Sequence, residues 1–366
     1  LKSPRPWEGS SPGGHISPMP RGAATSSACT AIGLCALVSF VPGATAGMKE
    51  CAFLKQEKTY ATTYGCERSC ADIDGQSRCW LIYKPPKLKV GGPLVIDLHS
   101  MYSCPEEMLE YSGWREMAEA HSFVAVWPEA TVGPEWIGTS ENISSWNAGS
   151  CCKFASSNSV DDEGFFRRIV DEVANDTATA IDLKRVYVVG HSLGGAMALK
   201  MALVASDLVA AAVCHSMHVV SEPASGYSPV PVLQLFGTLD VPGLVTKLGF
   251  DFKTFNLFKE YDKCKETEPK ITTFNEAGVY KTYVYVDCAA GSEVEFVELP
   301  GVGHFPYKGK DTMIDTTQIA WDFVSRFPKR PTEVNNGARI APHGLHAVFA
   351  IVFLLSFLAH LGARGL

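Results

Sequence analysis

The chain has 366 residues, of which 46% are hydrophobic and 19% charged, and its formal net charge is −7 at pH 7. This balance is typical of a globular protein and excludes a disordered or collagen-like chain, and the absence of a long Lys/Arg run argues against a nucleic-acid partner. The length allows one large or two ordinary domains. Twelve cysteines without paired C-x-x-C motifs indicate an oxidising compartment.

The N-terminal residues are predicted to be a targeting segment that is not part of the folded domain. Residues 1–18 are rich in Pro, Gly and Ser, without hydrophobic periodicity, and we interpret them as an unstructured leader. Residues 19–46 have the order of a secretory signal peptide, with Arg21 in a short basic region, an apolar run and the small-residue cleavage site Ala-Thr-Ala. The apolar run is shorter than the roughly 20 residues of a membrane span. Cleavage removes Cys29 and Cys35.

Residues 47–330 are predicted to form one folded domain of the α/β class. Short apolar runs bounded by turn residues predict buried strands, and runs with helical spacing predict helices between them. The predicted strands are 93–98 (PLVIDL), 123–127 (FVAVW), 185–189 (RVYVV), 210–213, 230–236 (VPVLQLF) and 293–299 (EVEFVEL), and the predicted helices are 106–121, 162–177 and 194–208. This alternation predicts a mostly parallel sheet with helices on both faces.

Two short signals support a secreted chain. Asn142 and Asn175 stand in glycosylation acceptor sequences and are predicted to be at the surface. Residues 331–366 are predicted to be a linker and a C-terminal hydrophobic anchor signal, because a small-residue cluster, a short polar spacer and an apolar tail follow one another. This order resembles a glycosylphosphatidylinositol anchor signal, and a single membrane span is the alternative. Both place the protein on the outer face of a membrane.

The motif G-x-S-x-G at residues 190–194 directly follows a predicted strand and opens a predicted helix. That context is the one a nucleophile elbow requires, since glycines permit a tight turn and the helix N-terminus favours negative charge. The motif alone is weak, because roughly 0.1 to 0.2 matches are expected by chance in a chain of this length. An ordinary Gly-rich turn is the alternative. We predict that Ser192 is the nucleophile.

A serine hydroxyl needs a base and an orienting acid, which follow it in the chain order Ser, Asp/Glu, His. His304 lies in the loop PGVGH directly after a strand, whereas His215 and His218 follow their strand where loop histidines are usually structural. Asp240 ends the segment FGTLD, directly after the strand VPVLQLF. We therefore predict His304 as the base and Asp240 as the acid.

Several stretches between residues 78 and 326 resemble the secreted α/β-hydrolase esterases that include feruloyl esterases, acetylxylan esterases and polyhydroxybutyrate depolymerases. They are PLVIDLHS, YSGWREMAEAHSFVAVWPEA, WNAGSCCKFASSNSVDDEGFFRRIVDEV, the elbow GHSLG, VPVLQLFGTLDVPG and EVEFVELPGVGHFPY. The resemblance implies the α/β-hydrolase fold and gives Ser192, Asp240 and His304 the same three roles.

The resemblance also implies an oxyanion hole and a disulfide. The oxyanion hole consists of the backbone N–H groups of Leu193 and Met101, and the disulfide joins Cys264 to Cys288. Ser100 stands where the family commonly has glycine, so we expect a strained backbone at that residue.

The remaining cysteines carry weaker expectations. Cys51, Cys66, Cys70 and Cys79 are close together in sequence and are expected to cross-link the amino-terminal edge of the domain. Cys104 and Cys214 are candidates for free, buried thiols.

Aromatic residues in loops after the strands are candidates for substrate binding. They are Tyr102 and Trp146, together with Trp127 and Trp136. The alternative is that each of these side chains anchors the core or a loop.

The sequence thus predicts an extracellular serine esterase that hydrolyses feruloyl, acetyl or polyester-type carboxylic esters through an acyl-enzyme. Its partner is an ester substrate, carried on a polysaccharide or a polyester, and no metal or organic cofactor is implied. Two alternatives remain, a serine peptidase of the same fold and a catalytically silent surface recognition protein. No oligomeric state is predicted.

Overall fold

A ten-stranded sheet organises the residues that the computed structural model describes, which are 63–73, 75–134, 142–151, 153–240, 251–275 and 279–329. The predicted leader, signal peptide and C-terminal anchor signal lie outside these residues, as do Cys51 and Trp136. Within them, no helix is both long enough and apolar enough to cross a bilayer.

The strands and helices are short, and five of the described strands are buried along their whole length. The strands are β1 (Cys66–Ile73), β2 (Gln76–Tyr83), β3 (Leu94–Leu98), β4 (Val124–Pro128), β5 (Thr131–Pro134), β6 (Asn142–Ser145), β7 (Val186–His191), β8 (Ala211–His215), β9 (Val232–Gly237), β10 (Lys270–Phe274), β11 (Tyr280–Tyr285) and β12 (Val294–Leu299). The helices are α1 (Pro105–Ser112), α2 (Trp114–His121), α3 (Lys153–Ser157), α4 (Asp162–Asn175), α5 (Leu193–Val204), α6 (Asp251–Tyr261) and α7 (Thr316–Val324), and a 3₁₀ turn spans Ala289–Gly291.

The strand order in the sheet is β1-β2-β4-β3-β7-β8-β9-β12-β11-β10. The six central strands, β4, β3, β7, β8, β9 and β12, are parallel to one another. At the two ends of the sheet, the pairs β1–β2, β2–β4, β12–β11 and β11–β10 are antiparallel. The predicted mostly parallel sheet is confirmed, and its six predicted strands begin and end within two residues of their observed bounds. The outer strands β1, β2, β10 and β11 were not predicted. The residues of β1 and β10 are largely exposed and form no apolar run.

Helices cover both faces of the sheet, as predicted. Alternate residues of each central strand point to opposite faces, so Ile96 belongs to the core layer that includes residues of α4, α5 and α6, while its neighbour Val95 belongs to the layer that includes residues of α1, α2 and α7. The two layers enclose the sheet and leave the ends of its strands free to carry loops.

The single helix predicted over residues 106–121 is wrong, because the structure divides it into α1 and α2. Gly113 separates them with φ of 76°, in the left-handed region that glycine adopts at little cost. The carbonyl oxygen of Ser112 then accepts a hydrogen bond from the Thr317 hydroxyl, so α7 provides a partner at the end of α1.

The cysteines pair only partly as expected. Disulfides join Cys70 to Cys79, across β1 and β2, and Cys264 to Cys288, the pair that the resemblance implied. Cys104 was a candidate for a free thiol but is disulfide-bonded, as is Cys151. Cys66, expected to cross-link the edge, is instead a buried free thiol like Cys214. In the β1–β2 hairpin, Cys66 lies opposite Tyr83, so no cysteine of β2 is opposite Cys66 to form a disulfide.

A buried ion pair connects the sheet to α4. Arg78 of β2 lies 2.8 Å from Asp162, with side chains only 6% and 1% exposed. The second oxygen of Asp162 accepts the backbone N–H of Asn147 at 2.6 Å. Burial raises the pKa of Asp162 despite the adjacent guanidinium. The pair is therefore important chiefly because either group alone would be buried without a counter-charge.

We expect Asp162→Ala to lower the free energy of unfolding by about 3–5 kcal/mol, because it leaves the Arg78 guanidinium buried and unpaired. Urea unfolding followed by circular dichroism measures this loss. The control is Glu172→Ala, which removes an exposed pair with Arg168 on the same helix and is expected to cost about 0.5 kcal/mol. Equal losses in the two variants would contradict this account of the buried pair.

Candidate active site

Ser192 occupies the sharp turn between β7 and α5. Its φ of 52° and ψ of −120° lie outside the usual regions for a residue with a side chain, and its backbone N–H donates to the carbonyl oxygen of His215 at 2.8 Å. A Cβ on Gly190 would lie 2.4 Å from the Gly194 oxygen, and one on Gly194 would lie 2.1 Å from the Leu98 oxygen. The glycines of the motif are thus required by close backbone contacts.

The structure brings Ser192, His304 and Asp240 together. His304 Nε2 lies 3.0 Å from Ser192 Oγ, and His304 Nδ1 lies 2.8 Å from Asp240 Oδ1. The three residues follow β7, β12 and β9, whose carboxyl ends meet at one edge of the sheet. Asp240 is fully buried, whereas the His304 side chain is 21% exposed.

The geometry defines the direction of the hydrogen bonds. A carboxylate only accepts, so His304 donates its Nδ1–H to Asp240 and leaves the Nε2 lone pair facing the Ser192 hydroxyl. This is the arrangement in which an imidazole removes a proton from a serine.

The loop after β3 lies against the start of α5. The Gly194 backbone is close to the carbonyl oxygens of Leu98 and His99, so the first turn of α5 and this loop are adjacent. Leu193, the first residue of α5, is buried, and Met101 in the loop is partly buried. This placement is compatible with the predicted oxyanion hole, and the role of the two N–H groups stays a prediction.

The strain expected at Ser100 is wrong, because Ser100 is not among the described residues with positive φ. The left-handed residue of the loop is Tyr102, with φ of 64°. Hydrogen bonds fix the loop around it: His99 Nδ1 donates to the Ser100 oxygen at 2.8 Å, and the Tyr102 N–H donates to the Ser144 oxygen at 3.3 Å. The loop thus has its left-handed residue at Tyr102 and not at Ser100, so the backbone at Ser100 does not require glycine.

The two predicted substrate-binding aromatics differ in their placement. Tyr102 is partly exposed in the loop after β3. Trp146 is fully buried, and its Nε1–H donates to the His99 oxygen at 2.8 Å. The structure therefore corrects the expectation for Trp146, whose side chain supports the loop from below and is not available to a ligand. Trp127 is likewise buried and donates to Asp97.

His191, the residue directly before Ser192, contacts the loop that carries His304. Its Nε2 lies 2.7 Å from the backbone oxygen of His304, and its Nδ1 lies 3.2 Å from the Tyr111 hydroxyl. The carbonyl oxygen must accept, so Nε2 carries the hydrogen and Nδ1 accepts from Tyr111. Burial lowers the pKa of His191 well below its usual value. A neutral imidazole thus supports the backbone of His304.

We expect His191→Phe to lower kcat for a small ester by roughly 10- to 100-fold, because a displaced base loop misaligns His304. Phenylalanine keeps a ring but removes the N–H that donates to the His304 carbonyl. Tyr111→Phe is the control, since it removes the hydroxyl that donates to Nδ1 but keeps the hydrogen bond from His191 to the His304 carbonyl, and it should lower kcat less than His191→Phe. Steady-state kinetics measure both variants. Unchanged kcat in His191→Phe would show that the base loop does not depend on this hydrogen bond.

The other predicted surface features have clear positions. Asn142 and Asn175 are both exposed, at the start of β6 and the end of α4. In the part of the chain that the structure describes, no three His, Cys, Asp or Glu side chains are grouped so as to hold a metal ion.

Comparison with known proteins agrees with this architecture. A family model described as the alpha/beta hydrolase fold matches residues 133–240, which include Ser192 and Asp240. The chain is 26% identical over 257 residues to a bifunctional acetylxylan esterase/xylanase of Neocallimastix patriciarum, covering 69% of this chain and 34% of that protein. It is 27% identical over 251 residues to feruloyl esterase B of Piromyces equi, covering 64% of this chain and 42% of that protein.

Among solved structures, the acetyl xylan esterase from Aspergillus awamori superimposes with a TM-score of 0.54 at 16% identity, covering 71% of this chain and 99% of that chain. At this identity the likeness concerns the fold. The chain spans less than half the length of the two curated relatives described above.

Proposed function

We propose that this chain, which has the α/β-hydrolase fold and is similar to acetylxylan and feruloyl esterases, hydrolyses carboxylic esters. The observation that carries the proposal is the hydrogen-bonded series from Ser192 Oγ to His304 Nε2, at 3.0 Å, and from His304 Nδ1 to Asp240 Oδ1, at 2.8 Å. Ser192 is the nucleophile, His304 the general base and Asp240 the acid that orients the imidazole.

In the first half-reaction, His304 Nε2 accepts the Ser192 proton while Oγ attacks the ester carbonyl carbon. The backbone N–H groups of Leu193 and Met101 donate to the resulting oxyanion. His304 then gives its proton to the leaving alcohol, and the acyl group remains on Ser192. In the second half-reaction, His304 activates a water molecule that hydrolyses the acyl-enzyme. The buried Asp240 carboxylate stabilises the imidazolium that forms in each half-reaction.

The acyl group is proposed to be acetyl or feruloyl and to be carried on a polysaccharide. The names of the two relatives support this proposal, since one is an acetylxylan esterase and the other a feruloyl esterase. A polyester substrate remains the alternative from the sequence resemblance. Tyr102, which is partly exposed in the loop after β3, is the aromatic residue proposed to contact the acyl group.

The protein is proposed to act outside the cell, attached to the membrane through the signal in residues 331–366. Disulfides at Cys70–Cys79 and Cys264–Cys288 support an oxidising compartment. Release from cells by a phosphatidylinositol-specific phospholipase tests the lipid anchor. Retention on the cell after this treatment would favour a membrane span instead.

A substrate panel tests the proposed activity. We expect hydrolysis of p-nitrophenyl acetate and no cleavage of a peptide anilide. Methyl ferulate, acetylated xylan and short polyhydroxybutyrate oligomers then distinguish the acyl groups. Cleavage of the anilide would favour the peptidase. Failure to hydrolyse any ester, together with no labelling by a fluorophosphonate, would favour the silent recognition protein and overturn the proposal.

A further inference from the structure

A polar cavity of about 440 Å³ lies between the β1–β2 hairpin and the segment that follows β4. The polar residues that line it are Arg68, Gln76, Ser77, Arg78, Glu129 and Thr131, and we call the site the hairpin cavity. None of these residues belongs to the proposed catalytic site. The volume lies in the range of small-molecule sites, roughly 300–1,000 Å³.

The hairpin cavity opens at the same edge of the sheet as Ser192. β2 runs antiparallel to β4, with Trp80 opposite Pro128, the last residue of β4. Gln76 and Ser77 therefore project beyond the carboxyl end of β4, the edge at which Ser192 follows β7. Three strand spacings, from β7 through β3 and β4 to β2, separate the two positions, which is about 14 Å along the sheet. An extended molecule can occupy both at once.

Covalent and ionic contacts hold the wall of the cavity in place. The Cys70–Cys79 disulfide joins residues directly opposite each other in β1 and β2. Arg78 is paired with Asp162 at 2.8 Å and lies 4.2 Å from the ring centre of Phe165. Polar groups fixed in this way lose little conformational entropy when a ligand binds.

The charges of the cavity are balanced. Arg68 lies 3.1 Å from Glu129, which also lines the cavity, and Arg78 lies 2.8 Å from Asp162, which lies outside the lining, so each arginine of the lining already has a carboxylate partner. A site for a phosphate or carboxylate would present unpaired arginines. The cavity instead fits a neutral polar ligand.

The hydrogen-bonding groups favour a ligand with several hydroxyl groups. Gln76 and Ser77 are exposed and offer both donors and acceptors. Arg68 and Glu129, which also line the cavity, add a charged donor and a charged acceptor. Hydroxyl groups donate and accept, so adjacent hydroxyls of one ring can bond to such a mixed lining.

We propose that the hairpin cavity binds a neutral sugar ring of the polysaccharide that carries the ester. The inference rests on the proposed esterase function and assigns the carrier of the acyl group. The acyl group is then attacked by Ser192 while a sugar unit further along the same molecule is bound between the hairpin and the end of β4.

The test is a double variant, Gln76→Ala with Ser77→Ala, assayed on an acetylated xylo-oligosaccharide and on p-nitrophenyl acetate. The loss of two hydrogen bonds is expected to lower kcat/KM for the oligosaccharide roughly 10- to 30-fold, at about 1 kcal/mol per bond. The kcat/KM of the double variant for p-nitrophenyl acetate should stay within about twofold of the wild-type value, because that molecule is too small to reach the cavity from Ser192. The matched control is Thr273→Ala with Asn275→Ala, two exposed polar residues at the opposite edge of the sheet. This control variant should leave kcat/KM unchanged for both substrates.

A binding measurement separates this inference from the esterase proposal. Unesterified xylohexaose is titrated calorimetrically into Ser192→Ala protein, with and without the Gln76 and Ser77 changes. Weaker binding in the triple variant supports the cavity even if the wild type hydrolyses no ester, in which case only the esterase proposal fails. Equal affinity in the two proteins, or equal losses on both esters in the double variant, would overturn the cavity proposal.

Discussion

Replacing Ser192 by alanine is expected to lower kcat for p-nitrophenyl acetate by a factor on the order of 10⁴ or more, because no other group takes over the nucleophilic attack. Labelling by a fluorophosphonate should disappear in the same variant. The free energy of unfolding should change by about 0.5 kcal/mol or less. The Ser192 side chain makes no capping hydrogen bond to α5, and alanine meets the same backbone strain as serine at φ of 52°.

Ser159→Ala is the matched control. Ser159 is exposed and also has φ of 52°, so the substitution tests the effect of alanine in the same backbone region away from the candidate site. Its kcat should equal that of the wild type. Residual turnover in Ser192→Ala within tenfold of the wild type would exclude Ser192 as the nucleophile.

Asp240→Asn is expected to lower kcat by roughly 10⁴-fold without preventing folding. The asparagine amide donates where the carboxylate accepts, so it favours the His304 tautomer that carries hydrogen on Nε2 and has no lone pair for the serine proton. It also removes the negative charge that stabilises the imidazolium. Measuring kcat over a range of pH, together with the thermal unfolding midpoint, separates this chemical effect from misfolding.

Asp262→Asn is the control for changing a buried carboxylate elsewhere. Asp262 is fully buried and accepts hydrogen bonds from the hydroxyls of Tyr227 and Ser292, and burial raises its pKa to about 7. This variant should lose stability but keep kcat within a few-fold of the wild type. If it lost as much activity as Asp240→Asn, the special role of Asp240 would be contradicted.

The positions of Ser192, Asp240 and His304 could be predicted from the sequence because each follows a short, mostly apolar strand by a short turn. In a parallel sheet, the carboxyl ends of such strands meet at one edge, so chain order and strand assignment suffice to bring the three together. The same reasoning predicted the six central strands, five of which are buried on both faces and are therefore rich in apolar residues along their whole length.

Features that depend on contacts between residues distant in the chain could not be predicted from the sequence. The break at Gly113 depends on α7, and the burial of Trp146 depends on the loop after β3. His191 and the His304 carbonyl are 113 residues apart in the chain. The outer strand β10 has mostly exposed residues, so its pairing with β11 leaves no hydrophobic pattern to recognise.

The hydrogen bond from His191 to the His304 carbonyl has a mechanical consequence. His191 is the last residue of β7 and directly precedes Ser192, so the same short piece of backbone carries the attacking oxygen and the anchor of its base. A fluctuation that shifts the end of β7 therefore moves both reacting groups in the same direction. We therefore expect the separation of Ser192 Oγ from His304 Nε2 to change less than the position of the strand end itself, which would keep the two groups aligned for the proposed reaction.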